Sequence, residues 1–178
     1  MIRPRPTLCK EAKMPYAMFF QHFPEIAERE TRTVTLLQES SGLAPGDYSL
    51  LEMFCDEAGC DCRRVMFCVV SSHTKDVEAV VAYGWESRDF YAKWMHDDDP
   101  DVIDELQGPV LNLASPQSKL APAILELIET VVLRDRAYIE RVKRHYALFR
   151  ERIDEKRPSA KKAKGRRKRK PRARRRTR

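Results

Sequence analysis

Three strand-like runs between residues 48 and 86 constrain the fold of this chain more than any other feature. They cover residues 48–55, 62–70 and 77–86, and short connections separate them. The second run is apolar on both faces, which indicates a central strand, and the third alternates with a period of two. Successive strands with short connections are typical of an antiparallel meander. We therefore predict an α+β fold with a small three-stranded antiparallel sheet covered by helices.

Helical patterns flank these runs. Residues 1–23 contain three prolines and are predicted to form an extended N-terminal arm. Pro24 suits a first helical turn, and the apolar spacing that follows predicts a helix to about Ser40, before Gly42. Ser87 and Asp99 are typical N-caps of two short helices.

A long helical pattern covers residues 121–155, where apolar residues recur at spacings of three and four. Unbroken, it would be about 52 Å long at ~1.5 Å per residue, whereas a body made of residues 1–155 would have a radius of gyration of roughly 15 Å. The helix must therefore break or extend onto a partner chain. We favour a break near Arg134 and Asp135, because Asp135 falls in the apolar stripe and can cap a second helix. The alternative is a homodimer formed through the C-terminal helix.

The charge of the chain is strongly segregated. Fifteen of its 34 Lys and Arg residues lie in residues 156–178, which contain no acid, so residues 1–155 hold 19 basic and 27 acidic residues, a net charge of −8. Residues 156–178 also lack any large apolar side chain. A segment that buries nothing cannot offset its ordering entropy. The sequence thus predicts a globular domain over residues 24–155 and a disordered polybasic tail over residues 156–178.

Nucleic acid is the partner that such a tail favours, because neutralising phosphates releases counterions. Without an aromatic residue in the tail to stack on a base, binding should be non-specific. The residues expected to bind nucleic acid are Lys161, Lys162, Lys164, Arg166, Arg167, Lys168, Arg169, Lys170, Arg172, Arg174, Arg175 and Arg176.

Two alternatives for the tail remain open. It could fold back on the six acids of residues 97–105, or the protein could be a protein–protein interaction module whose tail binds acidic protein surfaces. Membrane binding is not expected, because the tail lacks an apolar anchor.

Three of the five cysteines, Cys55, Cys60 and Cys62, lie in the stretch FCDEAGCDCRR between the first two predicted strands. Cys55 ends one strand, Cys62 begins the next, and Cys60 lies on their connection, so all three sulfurs can meet at the end of a hairpin. Thiolates are preferred zinc ligands, and Arg63 and Arg64 favour the charged form. The sequence predicts a zinc site at Cys55, Cys60 and Cys62.

The fourth ligand of that site is left open among Cys9, His22, Asp61 and His96. Cys68 is interpreted as a buried core thiol, since a regular strand places it about 20 Å beyond Cys62. Three other interpretations of the cluster stay open: reduced cysteines without a metal, a thiol-redox protein that uses the three cysteines with a Cys55–Cys62 pair, and a catalytic nucleophile.

The sequence contains none of the common phosphate-binding, zinc-protease, hydrolase or deaminase motifs. Its four histidines form no readable dyad, so no enzymatic activity is indicated. No secretory signal is recognisable, and the longest apolar runs are too short to span a bilayer. We expect a cytoplasmic protein, a compartment in which clustered cysteines are more often metal ligands or reactive thiols than disulfides.

Four segments together carry a resemblance: FCDEAGCDCRRV, YGWESRDFYAKWM, GPVLNLASPQSKLAPAILELIE and YIERVKRHYALFR. Over about residues 47–150 the chain resembles a family of uncharacterised bacterial proteins with a CxxxxCDCRR hairpin. Some relatives end in a SEC-C zinc motif, whereas this chain ends in a polybasic run without cysteine. The resemblance implies a bacterial cytoplasmic protein with an exchangeable C-terminal interaction module, and it implies no catalytic residue.

Overall fold

Six strands form one antiparallel sheet in the computed structural model, which describes residues 15–155. The strands are β1 (Tyr16–Met18), β2 (Arg32–Leu36), β3 (Gly46–Cys55), β4 (Arg64–Ser71), β5 (Val77–Gly84) and β6 (Val110–Leu111). β3, β4 and β5 are neighbours in that order, and β6 extends the sheet beyond β5. On the other side of β3, β2 pairs with its first half and β1 with its last three residues.

The prediction of a three-stranded sheet is wrong. β3, β4 and β5 correspond to the three predicted strands, but β1, β2 and β6 were not expected. β2 replaces the second half of a predicted helix, because its β-branched residues Thr33, Val34 and Thr35 fit a pleated surface better than a helix. β1 lies within the predicted arm, and β1 and β6 have three and two residues, too few to show a periodic pattern.

The helices are α1 (Phe19–His22), α2 (Pro24–Glu30), α3 (Arg88–Met95), α4 (Pro100–Gln107), α5 (Ala121–Leu127) and α6 (Arg136–Glu155). The N-caps expected at Ser87 and Asp99 are confirmed, since each side chain accepts a backbone N–H of its helix. α4 ends at Gln107, and Gly108 is its C-cap.

The predicted break in the long C-terminal helical segment is confirmed. α5 continues into a π-helical turn, Ile128–Val132, and α6 begins at Arg136. The Asp135 carboxylate caps α6 by accepting the Tyr138 N–H at 3.1 Å. The apolar stripe of α6 is buried within the chain's own core. The homodimer through this helix stays a prediction.

One face of the sheet carries the larger core. Tyr48, Leu50 and Phe54 of β3, with the inward residues of β4 and β5, pack against α5 and α6. A smaller cluster on the opposite face contains Met18, Met53, Met66, Cys68, Val80 and Ala82. As a result, α6 lies across the sheet and its last turns reach the end of β3, where the cysteine loop begins.

Two regions named in the sequence analysis lie outside the described residues: most of the predicted arm, residues 1–14, and the polybasic tail, residues 156–178. Within residues 15–155, no helix combines the length and the apolarity that a membrane crossing requires.

Candidate metal centre

The connection between β3 and β4 brings three thiols together. Cys55 is the last residue of β3, while Cys60 and Cys62 lie in the connection itself, since β4 begins only at Arg64. The Sγ atoms of all three lie within 4.8 Å of one another. Cys55 and Cys62 are each 3% exposed, whereas Cys60 is half-buried. The prediction that these sulfurs meet at the end of the hairpin is confirmed.

Two residues with positive φ shape this cysteine loop, residues 55–63. Gly59 has φ of +77°, and the turn is closed by the Cys60 N–H donating to the Glu57 carbonyl at 3.2 Å. Arg63 has φ of +48°, a conformation that costs energy in a residue with a Cβ. The local contacts of Arg63 must therefore offset this strain.

Arg63 is held by its backbone and by its side chain. Its N–H donates to the Tyr146 hydroxyl at 3.4 Å, and its carbonyl accepts the Tyr91 hydroxyl at 2.9 Å. Its guanidinium donates to both carboxylate oxygens of Asp61, at 3.0 and 3.1 Å, and to Glu86 at 3.1 Å. These contacts fix the orientation in which the loop presents its thiols.

Backbone N–H groups point at the sulfur atoms. Hydrogen bonds link the Glu57 N–H to Cys55, the Cys62 N–H to Cys60 and the Arg64 N–H to Cys62, and each lowers the pKa of the thiol that accepts it. Donors of this kind stabilise a thiolate, the form that binds a metal.

The three thiols also compete with one another. A hydrogen bond from the Cys55 thiol is the main cause that lowers the pKa of Cys62. The same hydrogen bond, together with burial, raises the pKa of Cys55 well above its usual range, and burial raises the pKa of Cys60. Three thiolates this close repel one another, and a divalent cation would remove that cost.

α6 anchors the cysteine loop at its last turns. Arg150 donates to the Cys55 carbonyl at 2.9 Å and to the Glu57 carbonyl at 3.1 Å. Asp154 accepts the Gly59 N–H at 2.9 Å and pairs with Arg150 at 2.8 Å. The positions of the thiols are therefore coupled to the C-terminal end of α6.

Aromatic residues surround the loop. Tyr16 pairs with Cys55 across β1 and β3. Burial, and then the nearby cysteines, raise the pKa of the Tyr16 phenol well above its usual range. Tyr91 and Tyr146 are hydrogen-bonded to the Arg63 backbone and cover the loop from α3 and α6. The thiols therefore lie partly shielded from solvent, where interactions between charges are strong.

Among residues 15–155, Cys55, Cys60 and Cys62 form the only group of ligand side chains close enough together to hold a metal ion. Of the candidate fourth ligands, Asp61 is paired with Arg63, the His22 ring packs against Phe149, and His96 is the C-cap of α3. Cys9 lies outside the described residues.

The interpretation of Cys68 as a core thiol is confirmed. Cys68 lies in the middle of β4, where it pairs with Leu51 and Val80, and it is fully buried beside Met53 and Met66. The nucleic-acid-binding residues predicted in the tail lie outside the part of the chain that the structure describes.

Sequence reasoning missed a second polar cluster, formed by Glu52 and His145 with Glu30. His145 is 1% exposed and lies on the apolar stripe of α6, while Glu52 lies on the inward face of β3. The Nδ1 atom of His145 is 2.7 Å from Glu52, and its Nε2 atom is 3.1 Å from Glu30. The sequence signal that could have revealed this cluster is that His145 and Glu52 each fall on an otherwise apolar face. Buried ionisable groups are normally paired, so each of them called for a partner.

Comparisons with protein-family models, with curated proteins and with solved structures find no match to this chain. The resemblance to bacterial proteins with a CxxxxCDCRR hairpin stays a prediction.

Proposed function

We propose that this chain is a non-enzymatic, cytoplasmic zinc-binding protein that its polybasic C-terminal tail tethers to nucleic acid. The observation that carries the metal part is the cluster of Cys55, Cys60 and Cys62, whose Sγ atoms lie within 4.8 Å of one another. The nucleic-acid part rests on the charge of residues 156–178.

The donor set favours zinc among the common metals. Three thiolates are soft ligands, and hard cations such as Mg²⁺ and Ca²⁺ prefer oxygen. In a tetrahedral site with Zn–S bonds of about 2.3 Å, the sulfurs are roughly 3.8 Å apart, which fits inside the observed limit of 4.8 Å. Small side-chain adjustments would bring the three thiols to this spacing.

The contacts of the cysteine loop support a structural role for the metal. The loop holds the last turns of α6 through Arg150 and Asp154, and α6 ends at Glu155, one residue before the polybasic tail. A metal that fixes the loop would thus also fix the point from which the tail departs.

Metal analysis of protein purified without added metal, with a parallel thiol count, tests the zinc assignment. We expect about one zinc per chain. Cys60→Ser should lower the zinc content, whereas Cys68→Ala, the matched control at a core thiol, should leave it unchanged. No metal together with a reducible Cys55–Cys62 bridge would instead identify a thiol-redox protein.

Titration of DNA and RNA at two salt concentrations tests the tail. Full-length protein should bind both, with an affinity that falls steeply as salt rises, and deletion of residues 156–178 should abolish binding. Lys93→Gln, which removes an exposed charge from the globular part, serves as the control and should change little.

Equal binding by full-length and truncated protein would disprove the role of the tail. If an acidic polypeptide displaces the nucleic acid at equal charge concentration, the tail instead serves a protein–protein interaction module that binds acidic surfaces.

A further inference from the structure

We propose that the metal centre is a redox switch, in which a peroxide oxidises Cys60, a Cys55–Cys60 disulfide forms and zinc is released. This inference rests on the proposed zinc function and adds regulation to the same site. The three cysteines of the cluster and the part of α6 that contacts their loop all lie within the described residues.

Cys60 is the thiol that a small oxidant reaches first. Cys55 and Cys62 are each 3% exposed, whereas Cys60 is half-buried on the connection between β3 and β4. Oxidation of a cysteine by peroxide depends on its thiolate character and on its accessibility. Cysteines that bind a metal do so as thiolates, so all three have this character in the zinc-loaded site. Accessibility therefore selects Cys60.

Cys55 is placed to react with an oxidised Cys60. The two thiols are hydrogen-bonded to each other, and the turn between them is closed by the Cys60 N–H donating to the Glu57 carbonyl at 3.2 Å. The sulfurs of a tetrahedral zinc site are roughly 3.8 Å apart and those of a disulfide about 2.05 Å, so a small movement forms the bridge. A Cys60–Cys62 bridge would close over a single residue, which strains the disulfide geometry.

The reaction balances with hydrogen peroxide as the oxidant. The Cys60 sulfur attacks one peroxide oxygen, an S–O bond forms, the O–O bond breaks and hydroxide leaves, which gives a sulfenic acid. The Cys55 sulfur then attacks the Cys60 sulfur, an S–S bond forms, the S–O bond breaks and a second hydroxide leaves. The two thiolates together lose the two electrons that reduce the peroxide, and both hydroxides take protons from solvent. One thiolate, Cys62, then remains in the cluster, so zinc dissociates.

The bridge would form across the part of the loop that α6 holds. Arg150 donates to the Cys55 carbonyl at 2.9 Å, and Asp154 accepts the Gly59 N–H at 2.9 Å. Gly59 directly precedes Cys60, so drawing Cys60 towards Cys55 would shift the Gly59 N–H relative to Asp154. The last turn of α6 would then lose one of its anchors, and the oxidation state of the loop would be transmitted to the end of this helix.

Hydrogen peroxide added to the zinc-loaded full-length chain tests the switch. A chromogenic chelator measures the released zinc, and a thiol titration counts the reduced cysteines. We expect zinc release to accompany the loss of two of the five thiols. A dithiol reductant should restore both the thiols and zinc binding. Fragmentation mass spectrometry of the oxidised protein should identify the Cys55–Cys60 link.

Hydrogen exchange measures the transmission to α6. The backbone amides of residues 151–155 should exchange roughly tenfold faster after oxidation, the size expected for loss of one hydrogen bond to a charged group. Cys9→Ser combined with Cys68→Ala keeps only the three cysteines of the loop and is the matched control. This variant should release zinc as the wild type does, again with the loss of two thiols.

Retention of zinc in a molar excess of peroxide, or a link other than Cys55–Cys60, would overturn the switch while leaving the zinc site intact. Unchanged exchange at the end of α6 in the oxidised protein would overturn the transmission to this helix. Absence of zinc from the wild type before any oxidant is added would instead overturn the proposed function itself.

Discussion

α6 is attached to the sheet at two polar places that differ in chemistry. Near its middle, the imidazole of His145 lies between Glu52 of β3 and Glu30 of α2. At its end, Arg150 and Asp154 hold the cysteine loop. The first place pairs an imidazole with two carboxyl groups. The second place holds a loop that brings three thiols together.

The His145 cluster is therefore suited to stabilising the fold, whereas the cysteine loop is suited to binding a ligand. Glu52 and His145 satisfy each other within the chain, and the second Glu52 oxygen accepts the Tyr138 hydroxyl at 3.4 Å. The thiols have only weak hydrogen bonds to one another, and they repel once ionised. A cation supplied from outside would complete the second place, so only the second place should respond to metal.

The largest expected effect is on the His145 cluster. His145→Ala should lower the free energy of unfolding by about 3–5 kcal/mol, because the mutation removes the imidazole beside the buried Glu52 carboxylate and leaves only the Tyr138 hydroxyl as its partner. Urea denaturation at neutral pH measures this loss. Lys143→Ala, which breaks an exposed ion pair with Glu140 on the same helix, should cost less than about 0.5 kcal/mol.

A double variant makes this test sharper. Adding Glu52→Leu to His145→Ala removes the stranded carboxylate and should recover part of the lost stability. If His145→Ala costs no more than the Lys143 control, the cluster does not hold α6 on the sheet.

Zinc should act on the second place and not on the first. With free zinc at a hundredfold excess over the dissociation constant, the wild type should gain about 2.7 kcal/mol. Cys60→Ser should gain little, and His145→Ala should gain as much as the wild type. Thermal melts with zinc or with a chelator measure these increments. Loss of the increment in His145→Ala would show that the two places are not independent.

The anchor at the end of α6 should give an intermediate effect. Arg150 is the residue that joins α6 to the loop carbonyls, and Arg150→Ala should cost about 1.5–3 kcal/mol, the range for hydrogen bonds to a charged group. Arg29→Ala on α2 is the control, because Arg29 is exposed, and it should change stability by less than about 0.5 kcal/mol. Hydrogen exchange should show faster opening of the last turn of α6 in Arg150→Ala only.

The sequence predicted what depends on local pattern. In the segments 48–55, 62–70 and 77–86, apolar residues either alternate with polar ones or are continuous, so the sequence predicted the meander. Asp135 interrupts an apolar stripe, so the sequence also predicted the helix break. The cysteine cluster was readable because its three residues lie within one short connection.

The sequence did not reveal what depends on distant pairing. β2 was predicted as a helix because Ile26, Val34 and Leu37 match a helical spacing, while its pairing with β3 is what selects the strand. His145 and Glu52 are 93 residues apart, and the sequence around either residue does not indicate that the other is its partner.

The smallest effect is expected at the rim of the His145 cluster. Partial burial raises the pKa of Glu30, but its hydrogen bond to His145 and the charge of Arg144 outweigh this and lower the pKa below its usual value. A carboxylate whose pKa is lower in the folded state stabilises the protein above its unfolded pKa, and this contribution is lost as the pH falls through the folded value. Glu30→Gln should therefore be less stable than the wild type at neutral pH, by less than about 1 kcal/mol.

The gap between the two proteins should close as the pH falls below the ordinary carboxyl pKa and through the lowered pKa of Glu30. Urea midpoints measured across this range, at constant ionic strength, test the prediction. Midpoints that stay parallel from neutral pH to pH 3 would mean that Glu30 is not coupled to His145. The exposed edge of the cluster would then contribute nothing, and only the buried contact between His145 and Glu52 would join the middle of α6 to β3.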